Sequence, residues 1–172
     1  GSVPSLYASG SHGYASSAAL DLSGSDEVTV IMQVRSLNAV ATQMFLESGA
    51  DFGVTNGAFA LYRGDNYRVS SRGTTAALGT SSAFSQPDIV ILVMRAKVAS
   101  SSTLTLERNG TRIITNSAPQ GTGNYGNHIV NWMLRNAASA SLFSTAEFGT
   151  TAIIGGPLTA NELATAVALA AY

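Results

Sequence analysis

The stretch from Tyr125 to Trp132, Y-G-N-H-I-V-N-W, gathers two large aromatics, two asparagines and a histidine. Tyr125, Asn127, His128 and Trp132 suit one kind of chemistry. Their rings can lie against the apolar face of a pyranose while amide and imidazole groups meet its hydroxyls. A second set, Tyr62, Arg63, Asp65, Asn66 and Tyr67, offers similar groups on a loop between two extended segments. Both sets also have a plain structural reading: Trp132 as a core residue, Tyr125 as a loop packer, and Tyr62 to Tyr67 as a solvated hairpin end. Arg63-Gly64-Asp65 spells a triplet known from adhesion ligands, but a three-residue match arises by chance and also makes a good turn.

Other chemistries have less to draw on. The chain has two histidines, His12 and His128, and no cysteine. A thiolate metal site is therefore excluded, and a histidine site would need both imidazoles. No G-x-S-x-G elbow supports a Ser-His-acid triad. Asp21, Ser23, Ser25, Asp26 and Glu27 crowd oxygens into a Gly-containing loop that calcium could use, yet their spacing fits no loop consensus and reads as an ordinary turn. Gln120 to Asn127, Q-G-T-G-N-Y-G-N, has the glycines of a phosphate-cradling loop. It lacks both the strand-then-helix context of a dinucleotide site and the Gly-Lys-Ser/Thr of a Walker loop. We expect no metal, cofactor or nucleotide.

The 172 residues suit a single domain, 1–172, with Gly1-Ser2 read as an expression scar on a piece of a longer protein. Charged residues are 11% of the chain, against about 25% in a typical soluble domain. The surface must be largely neutral and hydroxylated. A net charge of -1 with scattered basic residues offers no footprint for nucleic acid or an anionic membrane. No apolar run approaches the roughly 18 residues of a membrane span.

The elements that would position these residues are strands. Ser102 to Asn116 holds two alternating segments joined by Asn109-Gly110, the pair best suited to the positive φ angles of a type I′ turn. Counting outward pairs Arg108 with Thr111, Glu107 with Arg112, Leu106 with Ile113, and Leu104 with Thr115. Val28 to Arg35 alternates, with Val28, Val30, Met32 and Val34 on one face and Ile31 as an interruption. Gln43 to Ser48, Gly57 to Tyr62 and Tyr67 to Ser71 read as shorter strands in a meander. Ile89 to Met94 is apolar on both faces, as in a central strand covered twice. His128 to Arg135 reads as one strand with His128, Val130, Trp132 and Leu134 on one face, and Ala152 to Gly155 as a last short strand. Thr159 and Glu162 form a capping box for an Ala-rich helix over about 159–171, which should pack on the domain or on a neighbour. The pattern predicts an all-β, antiparallel fold with a short C-terminal α-helix.

The L-x-L-x-x-N-G-x-x-I hairpin, the Q-G-T-G-N-Y-G-N run and the closing P-L-T-A-N-E-L together resemble the laminin-G-like, concanavalin A-like jelly rolls. The likeness is nearest to those at the C-termini of phage and prophage virion proteins, and it covers about Leu20 to Leu169. It implies a two-sheet antiparallel β-sandwich with a short C-terminal α-helix, and a non-catalytic module of a virion fibre or spike, displayed at the particle surface and adsorbing to cell-surface polysaccharide. The partners implied are that polysaccharide and other virion subunits. The alternative it leaves is a structural module that self-associates or packs against a shaft. Glycoside hydrolases share the fold and carry closely spaced carboxylates of the form E-x-D-x-x-E. No strand here sets two of the ten acidic residues two apart on one face, which leaves hydrolysis a minor alternative.

Overall fold

A computed structural model describes residues 6–10, 13–37, 42–83, 88–98, 102–136 and 140–171. His12, the one histidine that could partner His128 at a metal, lies outside them. Two six-stranded antiparallel sheets face each other. The first runs β1 (Leu6–Ser9), β16 (Thr145–Gly155), β4 (Glu27–Ser36), β9 (Asp88–Lys97), β10 (Thr103–Arg108), β11 (Thr111–Asn116). The second runs β2 (Tyr14–Ala15), β13 (Val130–Trp132), β5 (Gln43–Ser48), β6 (Phe59–Arg63), β7 (Asn66–Arg72), β8 (Ala76–Ala83). Two short ribbons, β3 (Leu20–Asp21) with β12 (Asn127–His128) and β14 (Arg135–Asn136) with β15 (Ala140–Ser141), flank the second sheet. One helix, α1 (Ala160–Ala170), follows β16.

Strand alternation builds the core. Val28, Val30, Met32 and Val34 of β4, with Val90, Leu92 and Met94 of β9, point inward to meet Phe45, Phe59, Leu61, Tyr67 and Val69 of the second sheet. Phe45 and Phe148 lock the sheets edge to face at 5.7 Å. Each such side chain fully buried contributes about 1.5–3 kcal/mol, so this layer dominates the stability. Ile31, which breaks the alternation of β4, points the other way. With Val93, Ile91, Ala152 and Ile154 it forms an apolar strip on the outer face, and Leu163, Ala166, Val167 and Ala170 of α1 cover it. The helix is therefore seated on its own domain. Its first turn is held by Thr159, whose hydroxyl accepts from the Glu162 N–H at 3.3 Å while the Glu162 carboxylate accepts from the Thr159 N–H at 2.9 Å.

Three local readings are corrected. The hairpin pairs Glu107 with Arg112 and Arg108 with Thr111 as expected, but a bulge shifts the rest, so Leu106 faces Ile114 and Leu104 faces Asn116. The extra residue lets Ile114 turn into the core beside Leu104 and Leu106, and leaves Thr115 opposite Thr105 on the outer face. The segment from His128 to Arg135 is not one strand. It breaks at Ile129 and again at Met133, which takes φ 64 and is gripped by Phe45 O and Ser144 N. The final strand runs eleven residues from Thr145, and its own register shift between Phe148 and Thr151 hid its length. β8 was not anticipated at all, because its small residues A-A-L-G-T-S-S-A carry little apolar alternation.

Asn109 and Gly110 take φ 49 and 77, the left-handed pair of a type I′ turn. A Cβ at Gly110 would meet nothing within 4 Å, so a substitution there tests backbone strain alone. Gly110→Ala should cost about 1 kcal/mol. Thermal unfolding should then show the midpoint lowered by about 2–4 °C. An unchanged midpoint would contradict the turn type.

Candidate functional site

The edge of the second sheet sets an exposed tyrosine beside a half-buried tryptophan. Val130 and Trp132 of β13 point into the sandwich, between β5 on one side and the two-residue β2 on the other. β2 pairs Tyr14 directly with Trp132. Residues opposite each other in a ladder share a face, with Cβ atoms about 4.5–5.5 Å apart. The half-buried indole thus has a phenol beside it, and Tyr14 is 44% exposed. A cavity of about 320 Å³ opens next to the indole, between β13 and β16, lined by Ser16, Leu20, Val130, Trp132, Thr151 and Ile153. The Ser16 Oγ accepts from the Val130 N–H at 3.0 Å, which leaves its own proton for a ligand. The result is an apolar trough with hydroxyls on its rim.

Asn127 and His128 lie beside this trough on β12. His128 pairs with Leu20, which lines the cavity, and Asn127 pairs with Asp21. Asn127 is exposed. His128 is half-buried, its Nε2 lying 3.2 Å from Asn56 O. Of the first sequence set, the structure gathers Asn127, His128 and Trp132 along one edge and removes Tyr125.

Tyr125 is fully buried, and this corrects the expectation that its ring could stack on a sugar. Its hydroxyl lies 2.6 Å from Ser71 Oγ and its ring meets Phe59 edge to face at 5.6 Å. Burial pushes the phenol well above the ordinary tyrosine range, against the opposing effect of the Ser71 bond. The glycine and asparagine run around it is a clasp. Gln120 O accepts from Gly73 and Thr75, Asn124 donates to Ser23 O at 2.6 Å, and the Tyr125 N–H donates to Ser25 O. Gly57, at φ 74, fits against this run so closely that a Cβ would come 2.5 Å from the Gly126 nitrogen.

The second sequence set is divided by the pleat. Arg63 and Tyr67 point inward and are buried, Arg63 Nε donating to Gln43 Oε1 at 3.3 Å. Neither can meet a ligand there, and the Arg-Gly-Asp triplet is not displayed as a unit. Asp65 is exposed at the turn. Tyr62 points outward, beneath Phe52 of the β5–β6 loop, with the two rings 5.3 Å apart. Arg135 lies 4.9 Å over the Phe52 ring and pairs with Asp51 at 2.7 Å. Burial works against the charged Asp51, but hydrogen bonds from Arg135 and the Gly53 N–H outweigh it and hold the carboxyl below the ordinary aspartate range. Glu47, wholly buried below, accepts from the Phe52 N–H at 2.9 Å. Arg68 of β7, opposite Tyr62, completes this face.

Sequence reasoning missed Tyr14, Ser16, Thr151, Phe52, Arg68 and Arg135 as site residues. Tyr14 had one signal, an aromatic among small polar neighbours near the start of the chain. Nothing local announced that it would land beside Trp132. The oxygen-rich turn suggested for calcium is occupied with its own bonds: Asp21 Oδ1 accepts from the Ser23 N–H and hydroxyl, and Glu27 pairs with Lys97. Most other acids have a base or backbone partner too, as in Glu107–Arg112 and Glu147–Arg35.

The fold is a jelly-roll β-sandwich, similar to solved structures at low sequence identity. The heptameric SAP-like pentraxin of Limulus polyphemus superposes with TM-score 0.67 at 10% identity, covering 89% of this chain and 74% of that one. The CBM40 domain of the Ruminococcus gnavus IT-sialidase, in a structure with α2,3-sialyllactose bound, gives 0.58 at 15% identity and covers 97% and 100%. The binding domain of botulinum neurotoxin serotype C1 gives 0.64 at 8%, where the chain spans only 38% of that protein. No protein-family model matches the sequence, and no curated protein matches it.

Tyr125→Phe separates a core role from a ligand role. Removing the phenol oxygen leaves the buried Ser71 hydroxyl without that partner, at a cost of about 1–3 kcal/mol. Denaturant unfolding should show this loss of stability while ligand binding by the folded variant is unchanged. Intact stability with lost binding would return Tyr125 to the site.

Proposed function

We propose that the domain is a non-catalytic carbohydrate-binding module. The observation that carries this reading is the placement of Tyr14 opposite Trp132 beside a hydroxyl-rimmed cavity. An aromatic platform supplies the dispersion and CH contacts that a pyranose face needs, and Ser16 and Thr151 of the cavity lining supply hydroxyls for hydrogen bonds. The fold shared with a sialidase CBM40 domain and with a pentraxin is consistent with glycan binding. The finer reading is that the module sits on a phage-like fibre or spike and adsorbs to cell-surface polysaccharide. It rests on the sequence resemblance of the hairpin, the glycine run and the C-terminal segment. A shallow trough binds weakly, and display in many copies raises the avidity by orders of magnitude without new contacts.

A structural subunit is the second reading, favoured by one observation. Leu169 is 67% exposed and borders an apolar groove of about 390 Å³ with Ile154, Leu158 and Ala166. The rest of the helix face is already committed to the first sheet, which leaves little apolar surface for self-association.

Titration of the folded domain with neutral oligosaccharides, free and displayed multivalently, tests the proposal. Trp132→Ala should weaken binding at least tenfold and Tyr14→Ala severalfold, with the unfolding transition of each variant still cooperative. A folded wild-type domain that binds no glycan in multivalent display, yet elutes as an oligomer that Leu169→Glu disperses, would replace the binding reading with the structural one.

A further inference from the structure

We propose that the trough beside Trp132 selects a neutral pyranose bearing a methyl group in place of its hydroxymethyl arm, that is, a 6-deoxyhexose. The inference rests on the carbohydrate-binding reading above and adds which class of sugar that same site takes.

The trough offers no charge to a ligand. Among the described residues, none that lines it is ionisable. Asp21, next to Leu20 in sequence, is exposed, and its Oδ1 already accepts from the Ser23 N–H and hydroxyl. His128, across the ladder from Leu20, has its Nε2 3.2 Å from Asn56 O. A carboxylate-bearing sugar would therefore give up hydration against an aliphatic wall and meet no counter-charge there.

Hydrogen-bonding groups are scarce as well. Leu20, Val130 and Ile153 join the Trp132 indole and the methyls of Ala18 and Ala19, while only Ser16 and Thr151 bring side-chain oxygens. The backbone of Val130 is already paired: its N–H donates to Ser16 Oγ at 3.0 Å, and its carbonyl accepts from the Ser16 N–H at 2.8 Å. A hydroxymethyl group turned against this wall leaves a donor and an acceptor unmade. A methyl in its place gains apolar contact and leaves nothing unpaired. An acetamido arm fits poorly for the same reason, since it brings both an amide N–H and a carbonyl. The volume, about 320 Å³, lies at the lower end of small-molecule pockets and suits a single sugar ring. Ring hydroxyls on the open side stay in water, and Ser16 and Thr151 meet those on the near side.

Trp132 is the only tryptophan in the chain, so its emission reports on this trough. Methyl glycosides of D-fucose, D-galactose and D-galacturonic acid differ only in carrying a methyl, a hydroxymethyl or a carboxylate on the same ring, and L-rhamnose with L-mannose makes a second pair. Titrating the intact domain with each and following Trp132 emission tests the inference. In at least one series the 6-deoxy sugar should bind about tenfold more tightly than its hydroxymethyl counterpart. Salt should leave that preference unchanged, because neither sugar is charged. Ile153→Thr, and Ala19→Ser at an exposed position where folding is not at stake, each put a hydroxyl into the wall and should cut the preference to about twofold or less. Hydroxymethyl or carboxylate sugars that bind as tightly as the 6-deoxy ones, or N-acetylglucosamine that binds more tightly, would overturn the inference and leave the carbohydrate reading standing. Equal binding of cyclohexanol would overturn the assignment to a sugar. If no sugar perturbs Trp132, the inference and the carbohydrate reading of this trough fall together.

Discussion

A covering constraint organises the molecule: the central strands of both sheets bear buried side chains on both faces, so each sheet needs a lid as well as a partner. For β4 and β9 the lid is α1, whose seat is the strip formed by Ile31, Val93 and Ile154. For β5 and β6 it is the loop carrying Phe52, which shields Met44, Ala60 and Tyr62. The two solutions differ in kind. The helix brings its own hydrogen bonds and needs only apolar contact, whereas the loop leaves backbone groups to satisfy. Arginines and carboxylates meet that need: Arg72 caps Gly53 O, Glu47 takes the Phe52 N–H, and Asp51 takes the Gly53 N–H.

The need for polar groups under the loop also explains why the second sheet is the chemically richer one. Charges placed there to hold the loop lie beside aromatic rings, in surroundings of lower dielectric than open water, where each hydrogen bond counts for more. Arg68 stands among them, opposite Tyr62 in the ladder, where its charge acts on the Tyr62 hydroxyl. On the first sheet, by contrast, Arg35, Lys97 and Arg112 each face an acid across the ladder near solvent, where such pairs contribute little.

What was legible from the sequence was what is decided locally. The turn at Asn109-Gly110, the alternation of β4 and the capping box at Thr159 depend on residues within a few positions of one another, and the structure agrees with each; β9 is covered on both faces at Ile91 and Val93, though Ile89 is left exposed. The hairpin bulge was not legible, because the choice of Ile114 over Ile113 for the core is made by the facing sheet. Tyr125 read as a loop residue among glycines, yet Ser71, 54 positions away, and Ser25 draw it inside. The site suffered most, since Tyr14 meets Trp132 only when the first strand of the second sheet closes against a late one. Tyr62 and Arg68 could be placed together only once the pleat had assigned Arg63 and Tyr67 to the interior.

The bulge between Leu106 and Glu107 bears on crowding. β11 and β8 are the outermost strands at one side of the sandwich, and open strand edges invite pairing with another molecule. Here one edge strand bends at its bulge, and Asn116 donates to Leu78 O at 2.8 Å, occupying a backbone acceptor on the other. With so few charges on its surface, the protein cannot rely on electrostatic repulsion to keep copies apart. The blunted edges on this side make it harder for copies to join there into a continuous sheet.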